Sequence, residues 1–383
     1  MKIYLDGLFY KGSGIGRYYS NLVKLFSENN IEVITAVPRR LKVEWLAEFS
    51  KYGSIEPIFV DYERFAFKHI IRHSIFIKKL KERNDLEVFW FPHVNLPLCV
   101  PSKTIVTVHD VRPFTEWWDR GMLKKAVFKM LVKRAINAAS TVVVPSNYSK
   151  NALLNFFPEA KDKLKVIYNF IDADNFGDCL ADCGSPVVDG KYILFVGNRK
   201  RHKNLKNLIV AFSKIAAEIE HKLVIAGARD SMTEDKDEVD ILISELGLND
   251  RIQQFISPPD KIIFNLYRYA DLFVFPSFYE GFGYPPLEAV SLGTPAILSD
   301  IPIFREIFSD SGYYFDPLSP EDLSEKLLYL LTNEDLRKCL LIKERKRAKV
   351  FYRDEVDNDY INLIKSFVLF YNKFGDNCMN EGK

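Results

Sequence analysis

The sequence predicts an α/β fold with two doubly wound domains, each built on a parallel sheet. Short strand-like runs alternate with longer amphipathic stretches along the chain, which is typical of βαβ units. The strand-like runs are almost continuously apolar, as expected of parallel strands that are buried on both faces. A stretch rich in Asp and Gly and without clear periodicity, residues 172–190, divides the pattern into two series.

The first series contains six strand-like runs and the second contains five. In chain order they are Lys2–Asp6, Val33–Val37, Val88–Phe91, Thr104–His109, Thr141–Pro145 and Leu164–Tyr168, then Tyr192–Val196, Leu223–Ala226, Ile252–Ile256, Leu272–Phe275 and Ala296–Ser299. Amphipathic stretches between them, such as Arg17–Ser27 and Leu205–Ile219, predict helices. We expect a first domain over residues 1–176 and a second over 190–357. A last helical stretch near Asn358–Asn372 is expected to return to the first domain, which would then include residues 358–383.

Length and composition indicate an ordinary globular protein. The 383 residues correspond to about two domains. No apolar run approaches the roughly 18–20 residues that span a bilayer, and the N-terminal MKIYLDG predicts a first strand rather than a signal peptide. The five cysteines are too few and too scattered for a disulfide framework or a zinc site. We therefore expect reduced thiols and a cytosolic location.

Two basic stretches lie in the first half of the chain. Residues 62–83 carry seven Lys or Arg against two Glu, and residues 120–134 carry six Lys or Arg and no acid. Apolar residues alternate with the charges, so both stretches predict amphipathic helices with a solvated basic face. The alternative is contact with an anionic membrane surface or an anionic lipid-linked substrate. Nucleic acid is a less suitable partner, because no nucleic-acid-binding motif is present.

The most informative segment is DLFVFPSFYEGFGYPPLEAVSLGTPAILSD, residues 271–300. An apolar strand ends before Pro276, a loop with two glycines follows, and two prolines then predict the first turn of a helix. Glycines before a helix allow close approach of a ligand, and the free N–H groups of the first turn favour phosphate. Glu280 in the loop and Glu288 in the helix could accept hydrogen bonds from sugar hydroxyls on either side of a bound diphosphate.

A second segment, FVGNRKRHKNL, covers residues 195–205. The strand ends at Val196 and the chain turns at Gly197. Four cations then follow at the carboxyl end of the strand, namely Arg199, Lys200, Arg201 and Lys203. Cations at the ligand-binding edge of a parallel sheet suit a diphosphate, so we expect this loop to bind one together with the glutamate segment.

Two further segments follow strands of the first domain. GSGIGRY, residues 12–18, lacks the last glycine of a dinucleotide fingerprint, and the second strand does not end in an acidic residue. Its glycines, including Gly14 and Gly16, could still form an anion-binding loop. In TVHDVRP, His109 and Asp110 end an apolar strand, so His109 is expected to point toward a ligand, although a single histidine is more often structural.

A metal site is not expected. Two D-x-D triplets occur, Asp172–Asp174 and Asp235–Asp237, but neither follows a strand end, and we interpret both as chance. P-loop, G-x-S-x-G and H-E-x-x-H motifs are absent from the sequence. The expected site therefore contains cations, glycines and two glutamates, and no metal or other cofactor.

These segments resemble the retaining glycosyltransferases of family 4, which have the GT-B fold. PSFYEGFGYPPLEAVSLGTPAI is similar to the E-x7-E signature of that family, and VGNRKRHKNL, GIGRYYSNL, TVHD, VPSNYSK and VIYNFID match other family segments in the expected order. The resemblance extends over nearly the whole chain and is strongest to bacterial mannosyltransferases that build surface polysaccharides. It implies two Rossmann-like domains that face a central cleft, with a nucleotide-sugar donor bound mainly by the second.

The resemblance also implies a role for each matching residue of the second domain. Glu280 is expected to contact hydroxyls of the transferred sugar, and Glu288 is expected to contact the donor ribose. The backbone of Phe282 and Gly283 is expected to hold the diphosphate together with Lys203. In the first domain, His109 is expected beside the sugar, and the loop from Gly14 to Gly16 near the phosphates or the acceptor.

One departure from the family concerns an arginine. Many members carry it directly after the strand-end glycine or directly before the lysine, whereas this chain has Asn198 and His202 there. Arg199 or Arg201 is then expected to supply the guanidinium.

The implied reaction is front-face retention, in which the leaving phosphate takes the proton of the acceptor. The donor base, the sugar, the acceptor and the linkage stay open, with GDP-mannose and UDP-sugars as the main candidates for the donor. A GT-B sugar-nucleotide epimerase and a non-catalytic nucleotide-binding regulator are the alternative functions.

Overall fold

A computed structural model describes residues 1–63, 67–83, 85–118, 121–172, 184–229 and 237–374. The chain forms two compact units, which are described separately below. The first unit comprises Met1–Phe114, Arg120–Phe170 and Asp354–Lys383, and the second comprises Thr115–Asp119 and Ile171–Arg353.

The first unit contains a seven-stranded parallel sheet. Its strands are β1 (Lys2–Leu5), β2 (Glu32–Pro38), β3 (Ile55–Val60), β4 (Val88–Phe91), β5 (Thr104–Thr107), β6 (Thr141–Val144) and β7 (Leu164–Val166). They lie in the order β3-β2-β1-β4-β5-β6-β7, and each hydrogen-bonded pair is parallel. The strand order reverses between β1 and β4, and ligands of doubly wound sheets bind beyond the carboxyl ends of strands at such a switch point.

Helices cover both faces of this sheet. Among the described residues they are α1 (Ser13–Glu28), α2 (Lys42–Phe49), α3 (Phe67–Lys81), α4 (Met122–Ala138), α5 (Asn147–Phe156) and α13 (Arg353–Phe374). Successive strand residues point to opposite faces. Tyr4 accordingly belongs to one hydrophobic core, while its neighbours Ile3 and Leu5 belong to the other. Both faces are therefore buried, which explains the near-continuous apolar strands.

Helix α13 completes one of these two cores. Its Val356, Tyr360, Ile361, Ile364 and Phe367 pack there with side chains of α1 and of the sheet. The Tyr360 ring lies 6.0 Å from that of Trp90 and 5.7 Å from that of Phe170. Its hydroxyl donates a hydrogen bond to the carbonyl of Tyr168 at 3.2 Å.

The second unit contains a six-stranded parallel sheet. Its strands are β8 (Tyr192–Val196), β9 (Lys222–Gly227), β10 (Ile252–Ile256), β11 (Leu272–Phe275), β12 (Ala296–Ser299) and β13 (Tyr313–Phe315). The order is β10-β9-β8-β11-β12-β13, again with parallel pairs. The switch point lies between β8 and β11, and the two segments with the predicted donor-binding residues follow these two strands.

In the described part of the second unit, the helices are α6 (Leu205–Ile215), α7 (Glu238–Glu245), α8 (Asp260–Tyr269), α9 (Tyr284–Leu292), α10 (Pro302–Phe308), α11 (Pro320–Thr332) and α12 (Glu334–Ala348). Helix α9 begins with prolines at its second and third positions, where a backbone N–H is not needed. Eight of its nine residues, all but Pro285, are buried, since α9 packs between the sheet and α12.

The predicted α/β class is confirmed, and all eleven predicted strands are present. Two strands were not predicted, β3 and β13, and both lie at the edge of a sheet. An edge strand is buried less completely, so its sequence need not be an apolar run. Strand β3 contains Pro57, which is tolerated at an edge because it has no N–H to donate to a neighbour.

Candidate active site

The carboxyl ends of β8 and β11 bring Lys203 and Glu280 together, although 77 residues separate them in the chain. The Lys203 ammonium donates to Glu280 Oε1 at 2.5 Å, and both side chains are largely buried, with exposed fractions of 12% and 14%. The ammonium also lies 4.7 Å from the centre of the Phe275 ring, a cation–π contact. The structure thus places a cation and a carboxylate of the predicted site in direct contact at the switch point.

The loop with Glu280 is held at several points. The hydroxyl of Ser277 donates to Glu280 Oε1 at 2.7 Å. The N–H of Phe278 donates to the carbonyl of His202 at 2.8 Å, which links the loop to the segment with Lys203. The ring of Trp117 stacks on Phe278 with 4.0 Å between ring centres and 7° between planes. The loop is therefore well fixed before any ligand binds.

The start of α9 can offer backbone N–H groups to an anion. Gly283 is the N-cap residue and has a φ of 108°, a left-handed conformation that favours glycine. A Cβ at this position would lie 2.9 Å from the Phe304 ring. Because Pro285 and Pro286 have no N–H, the donors near the helix start come from earlier residues such as Phe282 and Gly283. The contact of these two backbone groups with a diphosphate stays a prediction.

The side chains of Phe282 and Glu288 lie beside this helix start. Phe282 is buried and packs edge-on against Tyr284 and Phe351, so its backbone rather than its ring is available to a ligand. Glu288 is one turn into α9 and only 3% exposed. Its predicted contact with the donor ribose is not tested by the structure and stays a prediction.

Arg199 does not occupy the predicted phosphate-binding position. Its guanidinium is 1% exposed and donates to Asp237 at 2.9 Å and to Asp240 at 3.1 Å, with Gln254 as a further partner. Although burial opposes ionisation of Asp240, the N–H of Asp237 and the Arg199 guanidinium hold the pKa of its carboxyl below the usual range. Arg199 thus binds two carboxylates and is not free for a diphosphate. Arg201, the other candidate, is exposed.

The same contacts give Asp237 a structural role. Its side chain caps α7 by accepting hydrogen bonds from the N–H groups of Val239 and Asp240. The other two residues of its D-x-D triplet, and most of the triplet Asp172–Asp174, lie outside the described residues. Within the described ranges, no three His, Cys, Asp or Glu side chains are grouped in a way that could hold a metal ion.

The segment with the predicted glycine loop follows β1, but Gly14 and Gly16 lie in the first turn of α1, which begins at Ser13, and not in a loop before the helix. A Cβ at Gly16 would lie 2.9 Å from the backbone of Phe9 and Lys11, so this glycine is required for close packing of the turn. A Cβ at Gly14 would meet no atom within 4 Å. Gly14 therefore faces open space, where a ligand could approach. At Gly197, after β8 in the second unit, the N–H donates to the carbonyl of Ala226 at 2.9 Å, which fixes the turn before Lys203.

His109 follows β5 and is partly exposed. Burial lowers its pKa to about 4, which outweighs the opposing effects of the Pro92 carbonyl and of Asp110. The ring is therefore neutral at pH 7. Its Nε2 lies 2.9 Å from the Pro92 oxygen, which can only accept, so Nε2 carries the proton. Nδ1 then has a free lone pair, and His109 is suited to accept a hydrogen bond rather than to act as a cation.

A buried Asp–His group at the same edge of this sheet was not predicted. Asp6 follows β1, His93 follows β4, and their side chains are 3.1 Å apart. His73 and the hydroxyl of Tyr4 also bind Asp6, at 2.8 and 3.0 Å. Although burial acts in the opposite direction, the two histidines hold the pKa of Asp6 far below its usual range. Asp6 and His93 each lie at or just after the end of a predicted strand, as His109 does, and this position in the sequence could have identified them as candidate site residues.

Within the described part of the chain, no helix is both long enough and apolar enough to cross a bilayer.

Two family models match this chain. The model described as Glycosyltransferase Family 4 matches residues 12–175. The model described as Glycosyl transferases group 1 matches residues 185–347. The first match lies in the half with the glycine loop and His109, and the second lies in the half with Lys203 and the two glutamates.

Two curated proteins and one solved structure illustrate the similarity. The O-antigen chain mannosyltransferase RfbU of Salmonella typhimurium is 28% identical over 225 residues, and the match spans 59% of each chain. The O-antigen chain mannosyltransferase B of Escherichia coli is 24% identical over 382 residues, which are 93% of this chain and 97% of that protein. Anabaena Alr3699/HepE in complex with UDP and glucose has a TM-score of 0.74 at 15% identity and covers 96% of this chain and 100% of its own. This last likeness concerns the fold, and it confirms the predicted GT-B fold.

Proposed function

We propose, on the premise that this chain is a glycosyltransferase of family 4, that it transfers mannose from GDP-mannose to a lipid-linked glycan. The observation that carries the proposal is the Lys203–Glu280 pair at the β8–β11 switch point, beside the glycine-capped start of α9. This arrangement offers an ammonium and backbone N–H groups to a diphosphate, and a carboxylate to sugar hydroxyls. The choice of mannose is supported by the similarity to two O-antigen chain mannosyltransferases.

The proposed reaction retains the configuration of the sugar. The bond between the anomeric carbon and the phosphate oxygen breaks, and the acceptor oxygen attacks from the same face. The proton of the acceptor hydroxyl passes to the leaving phosphate oxygen. Lys203 and the N–H groups near the start of α9 would stabilise the charge on that phosphate. Glu280 would hold the sugar, consistent with a carboxylate that is already engaged through Oε1.

The proposed lipid-linked acceptor is supported by the surface of the first unit. Helix α4 exposes large apolar side chains, among them Met122 (87%), Leu123 (80%) and Met130 (61%). It contains several lysines and no acidic residue. Such a helix suits the interface of an anionic membrane, with apolar side chains in the acyl boundary and lysines at the headgroups. Peripheral attachment at the inner face of a membrane would bring the enzyme to its acceptor.

A panel of nucleotide sugars tests the proposed activity. A thermal-shift screen with GDP, UDP and ADP first identifies the nucleotide, and we expect GDP to stabilise the protein. Incubation with the matching sugar nucleotides should then give slow hydrolysis with net retention of configuration. Epimerised sugar would instead indicate an epimerase, and binding without turnover would indicate a regulator.

A further inference from the structure

Ser277 is a buried side chain of the active-site loop to which the proposed reaction assigns no role. It lies two residues after β11 and has no exposed surface. Its hydroxyl is 2.7 Å from Glu280 Oε1. Since an ionised carboxylate can only accept hydrogen bonds, the serine must donate. Lys203 donates to the same oxygen at 2.5 Å, so both contacts fall on Oε1 and leave Oε2 available for another partner.

The two donors differ in what a diphosphate would do to them. The ammonium of Lys203 carries a positive charge, and an arriving diphosphate would compete with Glu280 for it. The hydroxyl of Ser277 is neutral, so the diphosphate has little electrostatic attraction for it. When Lys203 turns toward the phosphates, Ser277 is the contact that keeps Oε1 in place.

We infer that Ser277 is a positioning residue that keeps the Glu280 carboxylate oriented toward the sugar while the donor is bound. The inference rests on the proposed function of Glu280 as the sugar ligand. The loop backbone is held independently, by the N–H of Phe278 on the His202 carbonyl and by the stacked ring of Trp117. Loss of the Ser277 hydroxyl should therefore release the carboxylate without releasing the loop.

The test compares Ser277→Ala with the wild type in donor turnover and in nucleotide binding. We expect kcat to fall by about 10- to 100-fold, the range for loss of a hydrogen bond to a charged group. The affinity for the nucleoside diphosphate found in the thermal-shift screen should stay within about twofold by calorimetry, because that ligand has no sugar. Ser277→Thr, which keeps a hydroxyl, should recover most of kcat.

Ser299→Ala is the matched control. Ser299 is equally buried and ends β12, the strand next to β11, but its hydroxyl lies 3.4 Å from the Phe275 carbonyl instead of donating to Glu280. This variant should keep the wild-type kcat. Melting temperatures of all variants check that they are folded.

Several outcomes would overturn the inference. Wild-type kcat in Ser277→Ala, beside an impaired Glu280→Gln, would remove the positioning role and leave the proposed function intact. Equal losses of kcat in the Ala and Thr variants, or a similar loss in Ser299→Ala, would show that packing and not the hydroxyl matters. If Glu280→Gln itself turned over like the wild type, Glu280 would not serve the sugar, and both proposals would fail.

Discussion

At the scale of single residues, the Lys203 ammonium is neutralised before any donor is present. Glu280 accepts a hydrogen bond from it at 2.5 Å, and the Phe275 ring covers it. A diphosphate must therefore compete with the Glu280 carboxylate for this ammonium, because one cation faces both anions. The site is set up for an anion, with Glu280 holding the cation in the ligand-free protein.

Lys203→Ala should lower kcat/KM by about 30- to 150-fold, which corresponds to roughly 2–3 kcal/mol of transition-state stabilisation. The physical reason is the loss of a charge-assisted contact with the leaving diphosphate. Steady-state kinetics with the donor measures the change. Lys206→Ala, which removes an exposed cation three residues away, is the control and should have a much smaller effect. Near-wild-type kcat/KM in Lys203→Ala would refute the assignment.

The two glutamates should respond differently to replacement. Glu288→Gln should weaken the donor and the free nucleoside diphosphate alike, because both contain the ribose. Glu280→Gln should impair sugar transfer without lowering nucleoside diphosphate affinity, because the neutral amide competes less for Lys203 than the carboxylate does. Calorimetry with the nucleoside diphosphate separates the two, and equal losses of affinity in both variants would contradict the division of roles.

At the scale of elements, Arg199 links β8 to α7 and β10. Its guanidinium binds the capping residue of α7, Asp237, as well as Asp240 and Gln254. Arg199→Ala would leave these carboxylates without their main cation. Loss of one partner from a buried ion pair typically costs about 3–5 kcal/mol, so the melting temperature should fall by several degrees. Nucleoside diphosphate affinity of the folded variant should be nearly unchanged.

The sequence suggested that Arg199 binds the phosphates, whereas the structure gives it a stabilising role. A melting curve and a calorimetric titration of Arg199→Ala decide between these two roles. An unchanged melting temperature with lost nucleotide affinity would return Arg199 to the phosphate site. Arg251→Ala is a suitable comparison, since this partly buried arginine donates to backbone carbonyls, those of Ala216, Ile219 and His221, and is paired with no carboxylate among the described contacts. It should destabilise the protein less.

The basic helices of the first unit should bind anionic liposomes at low salt. Lys78, Lys79 and Lys81 at the end of α3 are exposed, and each lysine near an anionic leaflet contributes about 1 kcal/mol. Replacement of all three by Glu should therefore weaken co-sedimentation by about 100-fold or more. High salt should release the wild-type protein as the charges are screened.

The matched control for the liposome experiment changes the same charge in the second unit. Lys343, Lys346 and Lys349 are exposed there, and their replacement by Glu should leave binding unchanged. If the wild-type protein failed to co-sediment at low ionic strength, the basic helices would be ordinary solvated surface and a soluble acceptor would be favoured.

The central elements could be predicted from the sequence, while the partners of several side chains could not. Buried parallel strands have a continuous apolar pattern, so β8 and β11 and the segments after them were identified, and with these Lys203 and Glu280. The partners of Arg199 lie 38 and 41 residues further along the chain. Such distant contacts decide whether a cation of the loop binds a carboxylate of the protein or stays available to a phosphate. The sequence of the basic loop is the same for either role, so it cannot distinguish them.

At the scale of the whole molecule, we expect activity without a divalent metal. The diphosphate can be balanced by Lys203 and by the N–H groups near the start of α9, at the positive end of the helix dipole. Turnover of the donor should therefore survive treatment with EDTA. Loss of activity in EDTA with recovery on addition of Mn²⁺ would contradict this prediction.

The position of α13 has a consequence for synthesis of the protein on the ribosome. The first unit contains Met1–Phe114 and Arg120–Phe170, but α13 emerges only after the second unit has been made. At about 5–20 residues per second, translation of the intervening chain takes roughly 10–40 s. During that time the nascent first unit lacks the helix that covers Trp90 and Phe170. The second unit is nearly continuous in sequence and can therefore complete its folding first. Until α13 is synthesised, the first unit exposes an apolar face that chaperones would bind.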